Sequence, residues 1–344
     1  MSAESSRMLE DLLQGRHLSE ASADSLMHRL ASGDMAPALA GALLAALRAN
    51  GESAAEIRGF ANGMRELARP FSAGSLEQAA DCVGTGGDGS GSFNLSTGTA
   101  LLAAACGIPM VKHGNRSVSS QSGSADLLEA LGLTLPPDPQ LAADCLTHTG
   151  FTFLFAPYFH PAMKAIAPVR AALGVRTVFN ILGPLTNPAA PPFGVVGAYS
   201  SAMAKLMAES LAGMPHVRRY FVVHGEPGWD EATPVGRFEL FDVRQGRVHH
   251  ETRDPRDVGI PRCKPADLAG GDAAANAAAL QAVFEQQDRG PHRDALVLGT
   301  ALLLEVTGRA KSCAAGIKIA ADSVTAGAGV RLLRQLRAFS EGMT

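Results

Sequence analysis

Residues 81–97 read Asp81-Cys82-Val83-Gly84-Thr85-Gly86-Gly87-Asp88-Gly89-Ser90-Gly91-Ser92-Phe93-Asn94-Leu95-Ser96-Thr97: an apolar run, a glycine-dense loop and the opening of an Ala-rich segment. Strand end, loop and helix start in that order make a phosphate cradle. Glycines let successive N–H groups converge on an anion, and the helix N-terminus adds partial positive charge. Asn94, Ser96 and Thr97 are placed either to cap the helix or to donate to phosphate oxygens. Gly84, Gly86 and Gly89 also satisfy GxGxxG, but a dinucleotide site needs an acid about 20 residues on. Residues 108–112 read IPMVK, without one, and no Gly-Lys-Ser/Thr follows the loop as a Walker A motif requires. The bland alternative is a flexible loop with ordinary capping.

Downstream, Lys112-His113-Gly114-Asn115-Arg116-Ser117-Val118-Ser119-Ser120 follows another apolar run and precedes Gly123-Ser124-Ala125-Asp126. Two cations and several hydroxyls in nine residues suit a polyphosphate: Lys gives a point charge, serines and amides give directed bonds. A solvated basic turn is the plainer reading, and the position at a strand's end opposite the glycine loop favours the first. The pair Asp230-Glu231, after the run YFVVHGE, offers hard oxygen ligands of the kind Mg2+ takes beside substrate phosphates. A surface acidic turn is its alternative.

Around these clusters the short apolar runs CVG, IPMVKHG, FLFAP, FGVVGAYS and YFVVHGE read as strands of an α/β sheet. Residues 161–173 return to helical spacing and 175–188 are loop-rich. Helical patterns dominate 272–280 and 295–339, with Gly308, Gly316 and Gly327 as breaks. The first seventy or so residues form a helical module. Leu26, Met27 and Leu30 share a face, as do Leu39, Leu43, Leu44 and Leu47, and Gly33 and Gly51 punctuate them. A capping box at Ser53 and Glu56 opens a third helix through Ile57, Phe60, Met64 and Leu67, closed by Pro70.

At 344 residues, 46% hydrophobic and 18% charged, the chain builds about two domains with a sizeable core. Thirty Lys+Arg against 33 Asp+Glu, net −3 and without a basic patch, predict no nucleic-acid partner. Five scattered cysteines without a CxxC pair read as reduced thiols. The acidic, amphipathic start predicts no signal peptide, and the uncharged stretch 35–47 is too short for a membrane span, so the expected location is the cytoplasm.

Seven segments, in order, resemble the anthranilate phosphoribosyltransferase family: GTGGD (84–88), NLST (94–97), KHGNRSVSS (112–120), GSADLLEALG (123–132), FLFAPYFHPAM (153–163), APVRAALGVRTVFNILGPLTNP (167–188) and HGEPGWDE (224–231). The resemblance covers nearly the whole chain. It implies a small all-helical N-terminal domain, residues 1–72 with a segment around 165–190 returning to it. This would be hinged to a larger α/β domain, 73–344, with a mainly parallel central sheet flanked by helices and the substrate cleft between the two. It implies transfer of the phosphoribosyl group of 5-phosphoribosyl 1-diphosphate (PRPP) to the amine of anthranilate, with Mg2+, as the second step of tryptophan synthesis from chorismate. A homodimer through the helical domain is implied as well.

By that resemblance PRPP would contact Gly84, Gly87, Asp88, Ser92, Asn94, Leu95, Ser96, Thr97, Lys112, His113, Gly114, Asn115, Arg116, Ser117, Val118, Ser119, Ser120 and Ser124. Anthranilate would be held by Gly84, Asn115 and Arg170, and Mg2+ by Ser96, Asp230 and Glu231. Arg170 can pair bidentately with a carboxylate, although a helix-surface arginine reads the same way. The amine needs little activation and the leaving diphosphate needs its charge neutralised, so no general base is assigned; His113 and His160 are candidates or plain structural histidines. His160, Tyr158 and Phe159 are expected to shape the aromatic-acid entrance.

The chain departs from the family pattern at 232–238, where Phe238 replaces a hydroxyl, and at 298–301, where Gly299 stands near an expected Asn. Both bear on loop closure and acceptor preference. The rivals are a pyrimidine nucleoside phosphorylase of the same broad fold and a noncatalytic nucleic-acid-binding relative. The long 112–120 loop with a carboxylate pair counts against the first, and the acids with net −3 against the second.

Overall fold

The structure is a computed structural model and describes residues 2–74, 76–117 and 121–343; Val118, Ser119 and Ser120 of the second loop lie outside the described residues. Four helices open the chain: α1 (Ser2–Leu13), α2 (Glu20–Ser32), α3 (Pro37–Asn50) and α4 (Ala54–Glu66). The amphipathic start is thus itself a helix. The Ser53–Glu56 capping box forms, and Glu56, fully buried, also accepts the Leu18 amide at 2.8 Å. One carboxylate therefore caps α4 and pins the α1–α2 connection. Leu26, Met27, Leu30, Leu43, Leu44, Leu47, Ile57 and Phe60 fill the core between these helices.

The remainder alternates strands and helices: β1 (Ala80–Gly84), α5 (Leu95–Ala105), β2 (Met110–Gly114), α6 (Ser124–Ala130), α7 (Pro139–Thr149), β3 (Phe151–Phe155), α8 (Ala156–Phe159), α9 (Met163–Leu173), α10 (Phe179–Leu182), β4 (Phe193–Gly197), α11 (Ser201–Ala212), β5 (Arg219–Gly225), β6 (Phe238–Arg244), β7 (Arg247–Arg253), α12 (Ala273–Phe284), α13 (Pro291–Val306), α14 (Cys313–Thr325) and α15 (Ala328–Glu341). The sheet order is β3-β2-β1-β4-β5-β6-β7, parallel through β5 and antiparallel after it. The chain grows outward from β1 through β2 to β3, then jumps back to β4 on β1's other side. That reversal makes β1/β4 the topological switch point, where ligands of open α/β sheets bind beyond the carboxyl ends of the strands.

Side chains alternate across the sheet, so β5 sends Phe221 and Val223 to one face, with α5 and α13, and Tyr220 and Val222 to the other, with α4 and α11. The second face shares one core with the helical module. α9 and α10 come back to that module, burying Ile166, Phe179, Ile181 and Leu182 there.

All five expected strands form. The hairpin β6–β7 was not foreseen, because β7 reads Arg-Val-His-His-Glu-Thr-Arg with one aliphatic residue and leaves most side chains exposed. Gly308 and Gly327 do break helices, whereas Gly316 lies inside α14, where a Cβ would come within 2.7 Å of the Ala301 carbonyl oxygen. It is a helix-crossing glycine.

Candidate active site at the strand ends

Three adjacent strands, β1, β4 and β5, each end in glycine: Gly84, Gly197 and Gly225. The segment 229–231 crosses over those ends. A Cβ on Gly84 would sit 2.3 Å from Asp230 Oδ2, one on Gly197 1.5 Å from the Asp230 carbonyl oxygen, and one on Gly225 2.1 Å from the Glu231 carbonyl oxygen. Only strands without side chains at these positions let the acidic pair lie down on the switch point.

Seated there, Asp230 accepts the Gly86 amide on Oδ2 at 2.6 Å, and its own amide donates to Asp88 at 3.3 Å. Asp88 also accepts the Ser90 amide and hydroxyl, which folds the glycine loop back on itself. Glu231 Oε1 accepts the Ser96 amide at 3.1 Å, so it caps α5 from a distance of 135 residues in sequence. Asn94 occupies the N-cap position without capping; its side chain instead donates to Ser122 O and accepts from Asn276.

Burial, and secondarily Asp88, holds the Asp230 carboxyl above the usual carboxylate range; Glu231 is raised by burial, then by Asp230 and Asp88. Asp88, Asp230 and Glu231 repel one another, and among the described residues Lys112 is the cation that opposes their charge. Lys112 is fully buried beneath them, donating to Cys82 O at 2.5 Å with Nζ 3.5 Å from Ser96 Oγ. A small cavity of about 40 Å³, lined by Leu95, Ser96, Val195, Asp230, Glu231 and Leu302 among others, has room for a water or a bare ion. The oxygen donors and their raised pKa values fit a hard divalent cation such as Mg2+. Among the described residues the tightest carboxylate–imidazole group is elsewhere: Asp24 and His28 on α2 with Glu66 on α4, ligand atoms within 4.8 Å, a solvent-facing ion-pair cluster.

Gly87, Ser92, Leu95 and Thr97 complete the first loop and turn. Leu95 and Thr97 are buried, which leaves backbone and Ser96 to face a ligand. Ser92 bridges to Ala269. Lys112, His113 and Gly114 end β2, beside β1 as expected, with Ser124 opening α6 against Gly114. Asn115 is exposed and its Oδ1 accepts the Arg116 amide at 2.7 Å. Arg116 turns away from the loop, its guanidinium bonded to Glu129 at 2.6 Å and Asp126 at 3.1 Å on α6. Asp126 in turn accepts the Ser117 and Gly123 amides. The helix-capping acid, visible in the sequence as GSAD, draws that arginine to itself.

Arg170, on α9, is partly buried with its guanidinium carbon 5.3 Å from the Phe179 ring centroid; among the described residues no hydrogen bond or ion pair engages it. Burial lowers its pKa. His113 and His160 are buried with ring centroids 5.1 Å apart, and burial pushes them down to about 3 and about 4. Both are neutral at pH 7, packed ring against ring in the interior. Phe159 and His160 sit in the core, not at an entrance, because Phe159 packs under Phe71 while Tyr158 stacks on Arg69. Phe238 is a buried core residue opening β6, and Gly299 lies inside α13 against Thr99. Gly299 also lines the cavity beside Asp230 and Glu231.

The chain matches the description "Glycosyl transferase family, helical bundle domain" over residues 6–68 and "Glycosyl transferase family, a/b domain" over 76–330. An anthranilate phosphoribosyltransferase from Moorella thermoacetica is 43% identical over 333 residues, 97% of each chain. The crystal structure of the enzyme of that name from Thermus thermophilus superposes with a TM-score of 0.91 at 41% identity, covering 97% of this chain and 99% of that one. The Saccharomyces cerevisiae one, solved in complex with PRPP and Mg, gives 0.91 at 26% identity over 99% of both. With the strand-end glycines, the buried acids and both loops in place along its full length, the chain belongs to the anthranilate phosphoribosyltransferase family.

Proposed function

We propose that this chain transfers the phosphoribosyl group of PRPP to the amine of anthranilate, giving N-(5-phosphoribosyl)anthranilate and diphosphate. The observation that carries the reading is the seating of Asp230 and Glu231, beside Asp88, across three glycine strand ends at the switch point, directly against the phosphate-type loop.

In this reading PRPP lies over the glycine loop, the first turn of α5 and the loop after β2. Gly87, Asp88, Ser92, Asn94 and Ser96 flank its diphosphate side, and Asn115, Ser117 and Ser124 flank its other end. Arg116 contributes only after leaving Glu129. Ser96, Asp230 and Glu231 hold Mg2+, which supplies positive charge against the departing diphosphate. Lys112 adds a fixed buried charge below. Arg170, whose donors no described residue engages, takes the anthranilate carboxylate together with Asn115, and Gly84 lies near both substrates. The amine nitrogen attacks the ribose C1, the C1–O bond to diphosphate breaks, and the nitrogen proton leaves to solvent. The protein positions and stabilises charge; no side chain need carry the proton.

The same reading makes residues 1–72, with the returning 165–190 segment, a domain hinged against 73–344, pairing with a second copy in a cytoplasmic homodimer. No described helix is long and apolar enough to cross a membrane. The test is loss of anthranilate fluorescence in the presence of PRPP and Mg2+, beside an Asp230→Ala, Glu231→Ala double variant. Wild type alone consuming anthranilate supports the reading; a flat trace from folded wild type overturns it.

A further inference from the structure

Arg176 stands just past α9 and its terminal Gly174, and just before a run locked into the core, with Thr177, Val178, Phe179, Ile181 and Leu182 all buried. From that fixed backbone its side chain reaches the sheet. Nη2 donates to the Gly87 carbonyl oxygen, and the guanidinium stacks on Tyr199 with 4.4 Å from Cζ to the ring centroid. Tyr199 follows β4, so one side chain touches the loops after β1 and β4, the two strands that flank the switch point. A Cβ on Gly87 would lie 2.5 Å from Nη2, and Gly87 has φ +71°, so glycine there serves both the turn and the approach of the arginine.

The loop it holds is intrinsically loose. Gly86, Gly87, Gly89 and Gly91 all have positive φ, and Cβ atoms on Gly86, Gly89 and Gly91 would meet nothing within 4 Å. Ordering such a run is entropically costly, because glycine loses the most backbone freedom. Its other tethers are Thr85 to Gly197 and Gly86 and Asp88 to Asp230 at the strand ends, and Gly91 to Gly270 just before α12. Among the described residues Arg176 is the tether from the α9 side.

We propose that Arg176 is a positioning residue: it fixes loop 85–91 in the conformation that receives the diphosphate of PRPP. This rests on the reading that the loop binds PRPP.

Two measurements on the full chain test it. In hydrogen exchange without substrate, Arg176→Ala exchanges its 84–93 peptide several-fold faster than wild type while peptides from α5 and β4 do not change. In steady-state kinetics the same variant raises KM for PRPP about tenfold, the factor associated with one hydrogen bond from a charged donor, with kcat and Tm near wild type. Arg176→Lys, which keeps a donor and loses the planar stack, falls between the two. Exchange and PRPP KM within twofold of wild type overturn the proposal. So does an equal rise of both substrates' KM with a lower Tm, which marks a merely structural role. Wild type without transferase activity would overturn the functional reading alone, and the exchange result still decides the tether.

Discussion

Substituting alanine at Gly84 and at Gly197 probes the same seat in two different ways. The two glycines are register partners on β1 and β4. At Gly84 the new Cβ meets the Asp230 carboxylate, Oδ2 at 2.3 Å and Cγ at 2.9 Å, with backbone no closer than 3.4 Å. Rotation of that side chain relieves the overlap and forfeits the Gly86 amide bond. A hydrogen bond to a charged group is worth about 1.5–3 kcal/mol, which predicts roughly a 10- to 150-fold loss in kcat/KM with the fold intact. At Gly197 the Cβ meets backbone: the Asp230 carbonyl oxygen at 1.5 Å and its carbon at 2.5 Å. No rotamer escapes that, so the whole 229–231 crossing must lift, and both Asp230 and Glu231 leave the site. Overpacking of this kind costs about 1–3 kcal/mol or more. At about 2.1 cal/mol/K per residue this chain's Tm moves roughly 1.4 °C per kcal/mol, so Gly197→Ala should lower Tm by about 1–4 °C and abolish measurable turnover. The assay is anthranilate fluorescence with PRPP and Mg2+ beside a thermal melt. Wild-type kcat/KM in Gly197→Ala, or a larger loss in Gly84→Ala than in Gly197→Ala, would refute the seating argument.

Asp230 is raised by burial and by Asp88, so the folded, metal-free protein holds a proton that the unfolded chain releases near the ordinary carboxylate pKa. Stability therefore falls as pH rises from the ordinary carboxylate range through the raised value, and Asp230→Asn should raise the Tm of chelator-treated protein more at pH 8 than at pH 5, while eliminating activity. An equal Tm change at both pH values would count against it. His113 and His160 are shifted the other way, down to about 3 and about 4, so they cost stability as pH falls below about 6.5, the unfolded value. Melts of His160→Asn between pH 7 and pH 4.5 should show a shallower decline than wild type; a parallel decline is the contrary result. Arg170→Lys should raise KM for anthranilate about tenfold or more, through loss of a bidentate pair, and leave KM for PRPP within about twofold; a selective rise for PRPP would reassign that arginine.

Local chemistry in the sequence determined a good deal. The apolar runs ending in CVG, KHG, VVG and VHG specify short buried strands, Ser53 with Glu56 specifies a helix start, and glycines 84–91 specify a loop that opens toward an anion, because propensity, capping and backbone freedom act within a few residues. Arg116 shows the limit: from sequence it belongs to a phosphate-binding run, yet Asp126 and Glu129, one and two turns along a helix, claim it. The polar β7 was illegible because its pairing with β6, not its own pattern, makes it a strand. What only the tertiary structure decided is why those strand-end glycines are glycines. The contact between Gly86 and Asp230 spans 144 residues, and the sheet order that sets β4 between β1 and β5 brings it about. The charge state of the acids, the capping of α5 by Glu231 and the reach of Arg176 depend likewise on burial and neighbours contributed by distant segments, which no local pattern encodes.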